Sequence, residues 1–159
     1  MKPVTILIAK YTAILVVGFF VNWWVFDLSN FNIPENIPST PIHISGLTLI
    51  IIIITVLIFA QKSMIMTNPD ARISELTFVG TLIGLFAEIF FQSVRVFTLE
   101  EDKLHYFLKG VIGVTIAMAI ISFLISFQIK TKKTNQLLLF IFLFLIVFKI
   151  MIYLFPSIA

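Results

Sequence analysis

The apolar run from 43 to 64, purely aliphatic from Leu49 to Ile54, restricts this chain more than any other feature. About 20 mostly apolar residues wound as an α-helix match the hydrocarbon thickness of a bilayer. Comparable runs occupy 4–26, 73–97, 105–128 and 136–155. The expected fold is all-α and polytopic: a compact bundle of five transmembrane helices, forming one integral membrane domain over residues 1–159. Composition points the same way. With 60% hydrophobic and 12% charged residues, too little polar surface remains for a water-soluble domain.

The connections carry the topology. Pro34, Pro38 and Pro41 mark the first as extended, and Asn68-Pro69 ends the second span. Short polar turns at Leu99–Lys103 and Lys130–Asn135 make the third, fourth and fifth spans antiparallel neighbours. Lys2, Lys62, Arg72, Lys130, Lys132 and Lys133 fall in the N-terminal tail and the second and fourth connections, whereas Asp27, Glu35, Glu100, Glu101 and Asp102 fall in the other two, with Lys103 as their one base. Basic residues stay on the cytoplasmic side, so the N-terminus is expected inside and the C-terminus outside. Asn22, Trp23 and Trp24 then mark the outer interface. Lys10 within the first span, and Phe19, Phe20, Trp23 and Trp24 near its end, speak for a retained helix over a cleaved signal peptide. Lys10 is expected to snorkel inward or to pair with Glu75.

The third span holds the candidate site. Ser74, Thr77, Thr81, Gly84, Glu88, Gln92 and Arg95 recur at helical spacing and, at about 100° per residue, share an arc of roughly 80°. Glu88 stands well inside the apolar run, and an ionisable group at membrane depth is by default a functional hypothesis. At 1.5 Å per residue it lies about 22 Å from the inner end of its span, and Lys149 lies about 20 Å along the fifth. The two can meet, either as an ion pair that fixes register or as part of a site for an ion, proton or solute. Gln92, Arg95, Lys109 and Asn22 approach the same outer half. The candidate binding stripe is therefore Thr77, Thr81, Glu88, Gln92, Arg95, Lys109 and Lys149. Arg95 and Lys109 read as interfacial anchors or as ligands for an anionic group such as a lipid phosphate. Gly80 and Gly84, with Gly110 and Gly113 in the fourth span, form small-residue faces for close helix packing within the chain or between copies.

Enzymes of the familiar soluble kinds find little here. No Cys is present, so disulfides, thiolate nucleophiles and Cys-ligated metals are excluded. His43 and His105 lack ligand spacing, so no metal and no cofactor are expected. No phosphate loop, HExxH or nucleophile elbow occurs, and no basic–aromatic module suggests nucleic acid. From Gly84 to Gly113 the order Glu88, Gln92, Arg95, Asp102, Gly110, Gly113 resembles the second half of VanZ-like membrane proteins. The Glu–Gln spacing is one residue longer than in that pattern, Lys109 stands where it has Asn, and its earlier Asp-Lys…His element is absent.

The functional expectation rests on the polar stripe. It is ion or small-solute permeation, by an oligomer or as one membrane subunit of a transport complex, with the bilayer as first partner. A non-catalytic accessory subunit is the alternative, as is a membrane-embedded lipid-binding or lipid-modifying enzyme with Glu88 as general base. Small size and short loops suit a bacterial cytoplasmic (inner) membrane.

Overall fold

A computed structural model describes residues 3–25, 44–98 and 103–132. Its elements are α1 (Pro3–Trp23), α2 (Ile44–Thr67), α3 (Ile73–Thr98) and α4 (Lys103–Thr131). All four are long and apolar enough to cross a membrane. The expected fifth span at 136–155 lies outside the described residues.

Two helices run past the ends expected from hydropathy. α2 continues beyond 64 to Thr67, because Lys62, Ser63 and Met64 are compatible with helix and the true stop is Asn68-Pro69. α4 begins at Lys103 and continues beyond 128 to Thr131. It ends where Lys132 adopts φ 53° and its amide returns to Gln128 O at 3.1 Å, a left-handed C-terminal cap. The start of α3 is fixed as well. The carboxylate of Glu75, in its first turn, accepts the Arg72 amide at 3.0 Å, the Glu half of a capping box. Glu75 is thus used by the cap, and exposed Lys10 lies over the ring of Tyr11, 5.4 Å from its centroid. The expected Lys10–Glu75 pairing gives way to these two local contacts.

Consecutive helices are antiparallel, with matching registers. Between α1 and α2, Gly18 lies against Ile52, and four residues on Asn22 accepts a hydrogen bond from Thr48 at 2.5 Å. Between α3 and α4, Gly80 meets Ser122, Gly84 meets Met118, and Gln92 meets Gly110. Each step of four along one helix is a step of four back along the other, so residues of one face remain in register over several turns. Lys130 Nζ donates to Pro69 O at 2.8 Å, which ties the end of α4 to the α2–α3 connection. Lys62, Arg72, Lys130 and Lys132 therefore gather at one end of the bundle.

α3 is the shared element. Its most extensive partner is α4, and α1 packs against both α3 and α2. Leu76, Val79, Ile83 and Ala87 are buried at helical spacing, with Leu15, Phe19, Val56 and Leu57 in the same core. Away from the basic end, Phe20 stands edge-on to Phe90 and Phe91 at 6.5 and 5.3 Å, and Trp23 to Phe91 at 6.0 Å. Such pairs add about 0.5–1.5 kcal/mol beyond burial. Phe59, Phe78, Phe86, Phe90 and Ile112 point outward. In water they would be a liability; against lipid tails they are the expected surface, and helix association depends on close packing and interhelical hydrogen bonds.

Candidate functional site

The polar stripe of α3 is the seam with α4. Apolar core positions of α3 lie toward α1 and α2, which leaves Thr77, Gly80, Gly84, Glu88 and Gln92 on the α4 side. Two polar clusters sit along that seam, one in each half.

The cluster expected from the sequence is the one around Glu88. Its side chain is 3% exposed and that of Gln92 7%. Gln92 Nε2 donates to Glu88 Oε1 at 2.6 Å, a bond shorter than an ordinary amide–carbonyl one. Gly110 of α4 makes room for both: a Cβ there would stand 2.6 Å from Gln92 Nε2 and 3.3 Å from Glu88 Oε1. The glycine supplier changes hands along the seam. Where α4 presents Ser122 and Met118, α3 is glycine; where α3 presents Glu88 and Gln92, α4 is glycine. Arg95, half-buried on the next turns of α3, attracts the Glu88 carboxylate through space. Lys109 is half-buried beside Gly110, and Gly113 is buried. Asn22, placed at this level by depth alone, instead bonds Thr48 of α2. Lys149 lies outside the described residues.

A second cluster was not singled out by the sequence. Gln61 of α2, fully buried, donates through Nε2 to Ser122 O at 2.9 Å and to Ser122 Oγ at 2.8 Å. Ser122 Oγ donates on to Thr77 O at 3.1 Å, and Ser126 Oγ donates to Ser122 O at 2.6 Å. Thr77 Oγ1 lies 2.8 Å from Ile73 O and 3.4 Å from Ser126 Oγ. Thr81 donates to Thr77 O at 2.8 Å. The carbonyl Ser122 O can only accept, so the amide orientation of Gln61 follows from its neighbours. That orientation leaves Gln61 Oε1 buried and without a hydrogen-bond partner. The signal for this cluster was a lone amide in the second span and two serines four apart in the fourth. Ser and Thr in apolar helices ordinarily bond their own i−4 carbonyls, as Ser126 does, so the cluster is marked only by bonds between helices, those of Ser122 with Gln61 and Thr77 above all.

The clamp has a testable asymmetry. Both Gln61 donors are used and its acceptor is not, and an unmet buried acceptor offsets part of what the bonds contribute. Gln61→Leu, close in volume, is expected to change stability by less than about 1 kcal/mol. Gln61→Ala, which leaves a cavity, is expected to cost about 2–4 kcal/mol. Thermal unfolding of the two variants in detergent micelles checks the difference; equal losses would mean that the bonds, and not the volume, hold α2 to α4.

Among the described residues no three His, Asp or Glu side chains gather as a metal site. Of the two clusters only the one around Glu88 holds a titratable group; the one around Gln61 consists of amide, hydroxyl and carbonyl groups, which hydrogen-bond without changing charge. No family model matches the chain, and it matches no curated protein and no solved structure, so the VanZ-like residue order stands without a family behind it.

Proposed function

We propose that the protein is a small multi-pass membrane protein of the permeation class, passing an ion or small solute as an oligomer or as the membrane subunit of a transport complex. Its binding group in this reading is Glu88, held by Gln92 at the α3–α4 seam. One observation supports the reading above others: the seam is polar in both halves, with a carboxylate in one and an amide–hydroxyl cluster in the other. A purely structural carboxylate requires a counter-charge and no second cluster. By the distribution of Lys and Arg, the basic end belongs to the cytoplasm and Glu88 to the outer half. A bacterial inner membrane and a fifth span at 136–155 belong to the same reading.

The test is flux through the full-length chain reconstituted in liposomes, followed with ion-sensitive dyes. Glu88→Gln keeps the bond to Gln92 and is expected to insert normally while flux falls by about tenfold or more. A second reading, the accessory subunit, is favoured by the tight closure around Glu88, which Gly110 and Gln92 press shut. Absence of flux from well-folded protein, with a membrane partner retained through purification, would replace the first reading by the second.

A further inference from the structure

The two polar clusters are not continuous. Ser122 is level with Gly80, and Glu88 lies eight residues further along α3, about 12 Å on the helix axis. A chain of hydrogen bonds advances by about 3 Å per link, so several links are missing. The intervening level is the contact of Met118 with Gly84. Met118 is fully buried, and a Cβ on Gly84 would lie 2.5 Å from its Cε and Cγ. An unbranched thioether therefore fills the gap where polar groups would be needed. On α4 the next hydroxyl toward Gly110 is Thr115 Oγ1, buried and without a hydrogen-bond partner. On the other side of the gap the unpartnered atoms are Gln61 Oε1 in the cluster and Gln128 Oε1 near the end of α4.

These unmet atoms say what the seam can carry. A metal cation stripped of water needs a shell of several free oxygens. In the inner cluster the groups are bonded to one another, Gln61 and Ser126 to Ser122 O and Thr81 to Thr77 O at 2.6–2.9 Å, so the cluster is closed on itself and not arranged around an open centre, and Gln61 Oε1 within it has no partner. An unpartnered amide oxygen beside hydroxyls suits a water molecule, which donates to the amide and bonds the hydroxyls as well. Resting on the permeation reading, we propose that the solute is the proton, and that Met118 over Gly84 is the side chain that closes the route between Gln61 and Glu88. When Met118 swings aside, water joins the clusters. A hydronium ion then hands its proton to the Glu88 carboxylate, leaving water and the neutral acid, and loss of that proton to water on the far side restores the carboxylate. Methionine is suited to the task because three rotatable bonds let it vacate the space without moving a helix.

Proteoliposomes holding the full chain, a pH-sensitive dye and an imposed potential test this directly. Met118→Ala is expected to raise proton flux about tenfold, as is Met118→Gln, which keeps the volume and guards against a variant that fails to pack. Both gains should vanish when Glu88→Gln is added, and Gln61→Leu should reduce wild-type flux. Sodium and potassium, tested alone, should not be carried. Glu88-dependent proton flux that neither Met118 variant alters would overturn the gate and leave the permeation reading standing. Sodium or potassium carried as fast as protons would overturn the choice of solute. No flux in any variant would overturn the permeation reading itself, and the gate with it.

Discussion

Gly84→Leu is expected to prevent α3 and α4 from assembling, and Gly80→Leu to do the same. At both positions a Cβ alone is already too close to its neighbour. At Gly80 it overlaps Ser122 Oγ and lies 2.9 Å from Ser122 Cβ; at Gly84 it lies 2.8 Å from Met118 Cβ. A Cβ is fixed to its backbone, so no change of rotamer relieves the clash and α4 itself has to retreat. Retreat breaks the bonds of Ser122 with Gln61 and Thr77 and opens voids along the seam. Overpacking of this kind costs about 1–3 kcal/mol or more, and in lipid the hydrophobic effect does not restore the pairing. Gly110→Ala provides the contrast. Its Cβ meets the far end of Gln92, whose amide can turn, so the loss should stay below about 1 kcal/mol. Monodispersity and protease resistance in micelles order the three variants, and Gly84→Ala combined with Met118→Gly, which removes the opposing Cβ, should recover most of what Gly84→Ala loses. If Gly84→Leu proved as stable as Gly110→Ala, the α3–α4 contact described above would be wrong.

The contrast also shows what a sequence of this kind discloses. The helices were legible because apolar runs of spanning length have few alternatives, and α1 through α4 fall on four of the five expected runs. Their ends were less so: hydropathy falls at Lys62 and Gln128, but the backbone of α2 stops only where Asn68-Pro69 removes a donor, and that of α4 only at the left-handed Lys132. Within α3 the stripe from Thr77 to Gln92 could be read from periodicity, since all its members share one helix. Its partners could not. Asn22 shows why: depth follows from counting residues, whereas which neighbour a side chain meets depends on the rotation of each helix, and Asn22 is turned toward Thr48. Gln61, Ser122 and Ser126 escaped for a related reason. Each is uncharged, Ser122 and Ser126 stand in an apolar run and Gln61 beside Lys62 and Ser63 at the polar end of one, and they become a cluster only when α2, α3 and α4 are brought together.

Charge reversal at Glu88 separates the roles still open for it. Glu88→Lys puts an ammonium at a position 3% exposed, on the same helix face as Arg95 and beside an amide now presenting its donor to a cation. The amide can turn, but the charge remains: an unpaired Lys at this depth costs about 3 kcal/mol or more. Insertion and folding should fail, as read by loss of membrane-integrated protein, whereas Glu88→Gln should accumulate normally. The identity of the counter-charge then follows from rescue. Arg95→Glu combined with Glu88→Lys restores opposite charges on α3 and recovers folding if the attraction between these two is what holds Glu88 in place. Lys149→Glu recovers it if the partner is Lys149, which the sequence places at a matching depth. Wild-type accumulation of Glu88→Lys alone would remove Glu88 from the closed interior, and with it the basis for placing any site at the α3–α4 seam. Rescue by either acidic substitution, joined to loss of flux in Glu88→Gln, would mean that one carboxylate both fixes the helix register and binds the solute. Its burial against Gly110 permits that combination, because a group held this firmly changes its charge only when water is let in.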